Sequence, residues 1–96
     1  MTHDPIEDIQ NCLKQEAIII DVRTVEEFDE GHLEGSKNIP LHTLPAHLPE
    51  LKESSIPVIA CCRSGARSHQ ASAYLRSQGV VAVNAGPWDF LATFID

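Results

Sequence analysis

The segment Cys62-Arg63-Ser64-Gly65-Ala66-Arg67-Ser68 brings together residue types whose spacing could do chemistry. A thiolate is a strong nucleophile, and a cysteine ionises readily when hydrogen-bond donors and positive charge surround it. Gly65 lets the chain curl, so that successive backbone N–H groups turn inward as an anion-binding nest. The N-terminus of a following helix adds partial positive charge at the same point, and Arg67 would add a full one. Such a bowl suits an oxyanion or a sulfur atom carried on the cysteine. Cys62 is therefore the candidate nucleophile, and Arg63, Ser64, Gly65, Ala66 and Arg67 form the candidate binding loop. Arginine in a first helical turn opposes the dipole, which points to an anionic or carboxylate partner for Arg67. Of the two serines, Ser64 is expected to support the site and Ser68 is not assigned to it.

The remaining reactive side chains read differently. Cys61 belongs to the apolar run Val58-Ile59-Ala60-Cys61 and is expected to pack in the core. Cys12 falls off the apolar stripe of its helix and is expected to be incidental. Three cysteines make no disulfide framework. Cys61 and Cys62 are neighbours, about 3.8 Å apart at Cα, closer than the roughly 4.4–6.8 Å of a usual bridge. No Cys/His spacing resembles a zinc site, so neither a metal nor a cofactor is expected. The histidines form no triad: His32 is expected to make a structural hydrogen bond, and His3, His42, His47 and His69 to lie at the surface. Without a neighbouring base, activation of Cys62 falls to backbone dipoles and arginine. Trp88 is expected to pack beside the core.

The elements that must position these residues follow from the pattern. Asp4-Pro5 reads as an N-cap and first turn, and Ile6, Ile9 and Leu13 at helical spacing extend a helix from residue 4 to about 15. Ala17-Ile18-Ile19-Ile20-Asp21-Val22 is a continuous β-branched run, suited to a strand buried on both faces. Thr24 to Glu30 is a short helix with a Thr24/Glu27 capping box and Gly31 as its stop. A loop follows, then a brief extended piece at Asn38-Ile39-Pro40. Pro45 and Pro49 bracket a helical stretch over residues 43–51. Pro57 to Cys61 is a second buried strand, Arg67 to Gln78 a helix ended by Gly79, and Val80 to Val83 a third strand. Gly86-Pro87 opens a last helix through Trp88, Leu91 and Phe94. Alternating strands and helices specify an α/β domain with a mostly parallel central sheet and helices on both faces. Ligands of such sheets bind beyond the carboxyl ends of the strands. Asp21-Val22-Arg23 and the Cys62 loop both fall there.

Length and charge narrow the function further. Ninety-six residues suffice for a single domain, expected to span 1–96. No run is long and apolar enough for a membrane span, and the polar, acidic N-terminus does not read as a secretory signal, so a cytoplasmic location is expected. A net charge of −7 argues against nucleic acid and anionic membranes as partners. A monomer is expected.

The loop from Cys62 to Ser68 resembles the persulfide loop of the rhodanese-like domains. Ile20-Asp21-Val22-Arg23, Glu27-Phe28, Gly31-His32-Leu33-Glu34-Gly35-Ser36 and Asn38-Ile39-Pro40 are similar to that family's first signature. Gly79, and Gly86 with Trp88, also fit, so the likeness spans roughly residues 16–90. The resemblance implies a small three-layer rhodanese-like fold and a thiosulfate sulfurtransferase. A sulfane-sulfur donor, thiosulfate or a persulfide, would leave its sulfur on Cys62, and a thiol or cyanide would remove it. By the same resemblance Arg67 would help place the anionic donor, and Arg63 would draw anions in. Asp21 and Arg23 would support the loop from below. A thioredoxin-like or sulfur-carrier protein is a further partner on this reading.

Two alternatives compete. Counting from Cys61 gives the Cys-x5-Arg spacing of tyrosine phosphatases and arsenate reductases, whose wider ring cradles a tetrahedral anion. Ala60 replaces the histidine expected there, and strand alternation puts Cys61 in the core. The other is a non-catalytic regulatory or sulfur-relay module; retention of both Cys62 and Arg67 disfavours a pure scaffold, while composition does not separate relay from free enzyme.

Overall fold

Four strands run parallel at the centre of the chain, whose computed structural model describes residues 5–95. They are β1 (Ile18–Asp21), β2 (Lys37–Asn38), β3 (Val58–Cys62) and β4 (Ala82–Pro87), in the spatial order β2-β1-β3-β4. The helices are α1 (Pro5–Lys14), α2 (Val25–Glu30), α3 (Leu44–Ser54), α4 (Ala66–Ser77) and α5 (Trp88–Ala92), with a 3-10 turn at Leu41–Thr43. The expected Asp4 cap and His3 lie outside the described residues.

Alternation along β3 builds both cores. Val58, Ala60 and Cys62 face Leu44 and Leu51 of α3 and Ala71 and Leu75 of α4. Ile59 and Cys61 face Ile9 and Cys12 of α1 and Leu91 of α5. All five β3 residues are buried, as a central parallel strand requires. The three-layer α/β architecture expected from the alternating elements is thus the one observed. In register, Asp21 lies beside both Asn38 and Cys61, so three strands end together at one edge of the sheet. Loops leaving that edge converge, and this is where the Cys62 segment emerges.

Several boundaries differ from expectation for physical reasons. Helix α3 runs on to Ser54, past the residue 51 expected, with Pro49 inside it. A proline there forfeits one backbone hydrogen bond, but buried Leu44 and Leu51 on either side hold the helix, which stops at Ser55 in a left-handed conformation. The fourth strand in the chain runs over Ala82–Pro87, not Val80 to Val83. Val80 donates its N–H to Leu75 at 2.9 Å and so belongs to the end of α4, while Val81 is 64% exposed. Pairing with β3 then carries the strand through the polar Asn84, past the apolar run. Helix α4 sits one residue earlier than the Arg67 to Gln78 expected, and α5 ends at Ala92, short of Phe94. Cys12 is a correction of another kind. It is buried in the core, while Ile6 at the helix start is 46% exposed, so the apolar face of α1 runs through Ile9 and Cys12.

Candidate active site

Cys62 is the last residue of β3, and α4 begins four positions later. The turn between them closes on the sulfur. The Gly65 N–H donates to Cys62 Sγ at 2.9 Å, and Ser68 Oγ lies 3.2 Å from the same atom. Gly65 adopts φ of 102°, a left-handed conformation that favours glycine. A Cβ there would also meet the Gly86 Cα at 3.3 Å. The turn is fastened from β4. Asn84 Nδ2 donates to the Gly65 carbonyl at 3.2 Å, and Asn84 Oδ1 accepts from the Ser68 hydroxyl at 2.6 Å and the Gly86 N–H at 2.8 Å. A bulge makes room for this clamp: Ala60 pairs with Asn84 but Cys61 with Gly86, which leaves Ala85 unmatched.

These donors decide the ionisation of the thiol. Burial raises its pKa, but hydrogen bonds from Ser68, through side chain and backbone, and from the Gly65 and Ser64 backbones outweigh that cost and lower it overall. The neighbouring Cys61 is driven the other way, up to about 12, first by burial and then by Asp21. Cys61 points into the opposite core, so the phosphatase count from Cys61 starts from an inert, inward-facing thiol.

Beneath the turn, Asp21 and Arg23 form a buried pair. Arg23 Nη2 lies 2.7 Å from Asp21 Oδ2, and Nε donates to both carboxylate oxygens at 2.9 and 3.1 Å. The same guanidinium donates to the carbonyls of Gly31 at 2.7 Å and Glu27 at 3.2 Å, with its centre 5.3 Å from the Trp88 ring. Asn38 Nδ2 fixes the Asp21 and Arg23 carbonyls. This is a brace that holds the ends of α2 to the sheet. His32 donates from Nδ1 to the Phe28 carbonyl at 2.8 Å and stacks on the Phe28 ring, a structural role as expected.

Arg67 finds the carboxylate partner expected of an arginine in a first helical turn. Its two terminal nitrogens grip the two oxygens of Glu27 at 2.6 and 2.9 Å. The Arg67 guanidinium, with help from the Thr24 cap, holds the Glu27 carboxyl down to about 2. The carboxylate partner that an arginine in the first turn demands comes from α2, so the positive charge is already matched. Arg63 is exposed and, among the described residues, forms no ion pair. Ser64 and Ala66 are exposed on the rim, and Cys62 itself is 0% exposed beneath them.

Beside the turn lies a cleft of about 320 Å³ lined by Arg23, Glu27, Glu30, Arg63, Trp88 and Asp89. Trp88 thus packs against the core and also walls the cleft. A larger cavity of about 790 Å³ follows the outer side of β4 past Cys12, Arg76 and Val81. It shares only Asn84 with the site, and its apolar walls hold no activated nucleophile, so chemistry assigns the smaller cleft. Ser68, Asn84 and Glu27 are the site residues that the loop reading passed over. A polar Asn84 directly after the apolar run Val80 to Val83, at the same end of the sheet as Cys62, is the signal the sequence carries.

Residues 5–89 match the family model of the rhodanese-like domain. The chain belongs to the rhodanese family. Among its rhodanese relatives, a sulfurtransferase of Allochromatium vinosum is 37% identical over 65 residues, covering 68% of this chain and 60% of that protein. The thiosulfate sulfurtransferase GlpE of Stutzerimonas stutzeri is 36% identical over 63 residues, covering 66% of this chain and 57% of its own. The match therefore spans under two thirds of the length of either relative. A solved rhodanese-like domain protein of Staphylococcus aureus superposes with a TM-score of 0.72 at 30% identity, over 90% of this chain and 85% of that one. The fold is shared with that Staphylococcus aureus protein over 90% of this chain. No helix among the described residues is long and apolar enough to cross a membrane.

Proposed function

We propose that this rhodanese-family chain is a sulfurtransferase that carries a sulfane sulfur on Cys62 as a persulfide. The observation that carries the reading is the turn closed on one sulfur, with the Gly65 N–H donating at 2.9 Å and Ser68 Oγ in contact at 3.2 Å. In the first half-reaction the Cys62 thiolate attacks the sulfane sulfur of thiosulfate or a persulfide. A new S–S bond forms to Cys62, the donor's own S–S bond breaks, and sulfite or a thiolate leaves with the electron pair. In the second, a thiol or cyanide attacks the outer sulfur and releases the Cys62 thiolate. The amides that hold the thiolate suit the negative outer sulfur equally, because both are compact anions. Cys62 is covered at rest, with Arg63, Ser64 and Ala66 exposed on the rim above it. Asp21 and Arg23 act as supports in this scheme, away from the reacting atoms.

A single-turnover assay tests the reading. With excess thiosulfate or a small persulfide, the wild type and Cys61→Ala should each release about one equivalent of sulfite or thiol, because one thiolate loads once. Cys62→Ser should release none. Release by Cys62→Ser at the wild-type level would refute the assignment.

A further inference from the structure

The pairing of Arg67 with Glu27 bears on which donor the site accepts, a question that rests on the persulfide reading of Cys62. An arginine at the start of the helix behind a sulfur-binding turn is the natural seat for a small dianion. Here that seat is filled. Glu27 sits on both prongs of the fork, and the pair is only partly exposed, 34% for Arg67 and 25% for Glu27. The second arginine at the cleft, Arg23, is consumed by Asp21 in the same way. Among the described residues, what remains unmatched around the cleft is Arg63 against Glu30 and Asp89, a net charge of minus one in a chain whose overall charge is −7. The site thus couples an anion-loving turn to a mouth that repels anions.

We infer that Glu27 is a specificity-determining residue: by occupying Arg67 it turns the mouth against free dianions such as thiosulfate and toward persulfides borne on neutral or cationic carriers. Glu27 touches neither the sulfur nor the donor in this scheme; it acts through Arg67. The distinction is one of approach, since the sulfur-transfer step is the same for both donors. For a carrier R–S–SH, the Cys62 thiolate takes the outer sulfur, the S–S bond to R–S breaks, and R–S⁻ departs. For thiosulfate the departing group is sulfite, and a dianion must enter and a second anion leave past the acidic rim. Charge in the carrier, rather than sulfur chemistry, is then what the mouth reads. A positively charged small thiol and a basic protein surface share that property.

The geometry supplies a clean variant. Glu27 also closes the capping box of α2, accepting from the Thr24 N–H at 3.1 Å. Glutamine serves a capping box as well as glutamate does, so Glu27→Gln keeps the cap while removing the charge and one of the two oxygens that bind Arg67. Loading of Cys62 is followed with three donors: thiosulfate, the anionic persulfide of thioglycolate and the cationic persulfide of cysteamine. Glu27→Gln should raise kcat/KM for thiosulfate and thioglycolate persulfide about tenfold, mostly through KM, and change that for cysteamine persulfide by less than about twofold. The double variant Glu27→Gln/Arg67→Gln should fall back to within about threefold of the wild type with thiosulfate, because the guanidinium that Glu27→Gln releases is gone. Equal changes for all three donors, or no change with thiosulfate, would overturn the inference. A second measurement needs no variant: added salt should speed wild-type loading from thiosulfate and slow it from cysteamine persulfide, and the same salt response for both would overturn it too. If Cys62 loads from none of the donors, the persulfide reading itself fails, which is a separate result. Basic protein carriers are distinguished from small cationic thiols by presenting the persulfide on a lysine-flanked cysteine peptide; faster loading from the peptide assigns a protein source, and equal rates assign charge alone.

Discussion

The thiols of Cys61 and Cys62 lie one residue apart and face opposite sides of the sheet. One meets only packed side chains and is driven up to about 12; the other meets amides and a hydroxyl and is lowered from the ordinary 9.0. Iodoacetamide modification of the folded protein should therefore follow Cys62 alone. Its rate should rise with pH through a midpoint below 9.0, since the thiolate is the reactive form. Ser68→Ala removes the side-chain hydrogen bond that lowers the Cys62 pKa most and should move that midpoint upward; an unchanged midpoint would remove Ser68 from the site. The loop from Cys62 to Gly65 was legible in the sequence because its donors are local backbone groups. Ser68 was harder to see: one helical turn brings its hydroxyl to the sulfur, and Asn84 fixes it there from a strand sixteen residues away. Arg67 was legible as needing an anionic partner, but the identity of that partner depended on where α2 docks.

At the scale of elements, the turn after β3 is held as much by β4 as by its own residues. Asn84 bonds the turn at Gly65 and α4 at Ser68, and the bulge at Ala85 brings Gly86 against Gly65. Gly65→Ala would place a side chain at φ of 102° and 3.3 Å from the Gly86 Cα. It should lower stability by about 1–2 kcal/mol in urea unfolding and should slow sulfur loading by more than that loss explains, because the donor ring is displaced. Wild-type stability together with wild-type loading would contradict the role given to the turn. The short helix α2 was fully legible, since Thr24 and Glu27 carry a local capping code. Strand β4 was not, because its last residues are chosen by pairing with β3 and by the clamp at Asn84, neither of which an apolar pattern records.

Across the whole molecule, the ends of α2, β1 and α4 are tied by charge. Glu27 links α2 to α4 through Arg67, and Arg23 links β1 to the α2 carbonyls. The Glu27 carboxyl is lowered from 4.5 to about 2, so its stabilising effect is complete above pH 4.5 and is lost as pH falls toward 2. Melting temperatures of the wild type and Glu27→Gln should accordingly differ at neutral pH and converge across that window; a gap that stays constant down to pH 2 would contradict the ion pair. The alternation of strands and helices made the parallel α/β architecture readable. The strand order β2-β1-β3-β4 was not, because it records which chain segments meet in space rather than which follow one another. All of these links serve to aim one ring of donors at one sulfur. Tandem mass spectrometry of protein loaded with a sulfane-sulfur donor addresses that claim directly. A single added sulfur should map to Cys62, be removed by reductant and be absent from Cys62→Ser. An added sulfur on Cys61 or Cys12, or one that persists in Cys62→Ser, would contradict it.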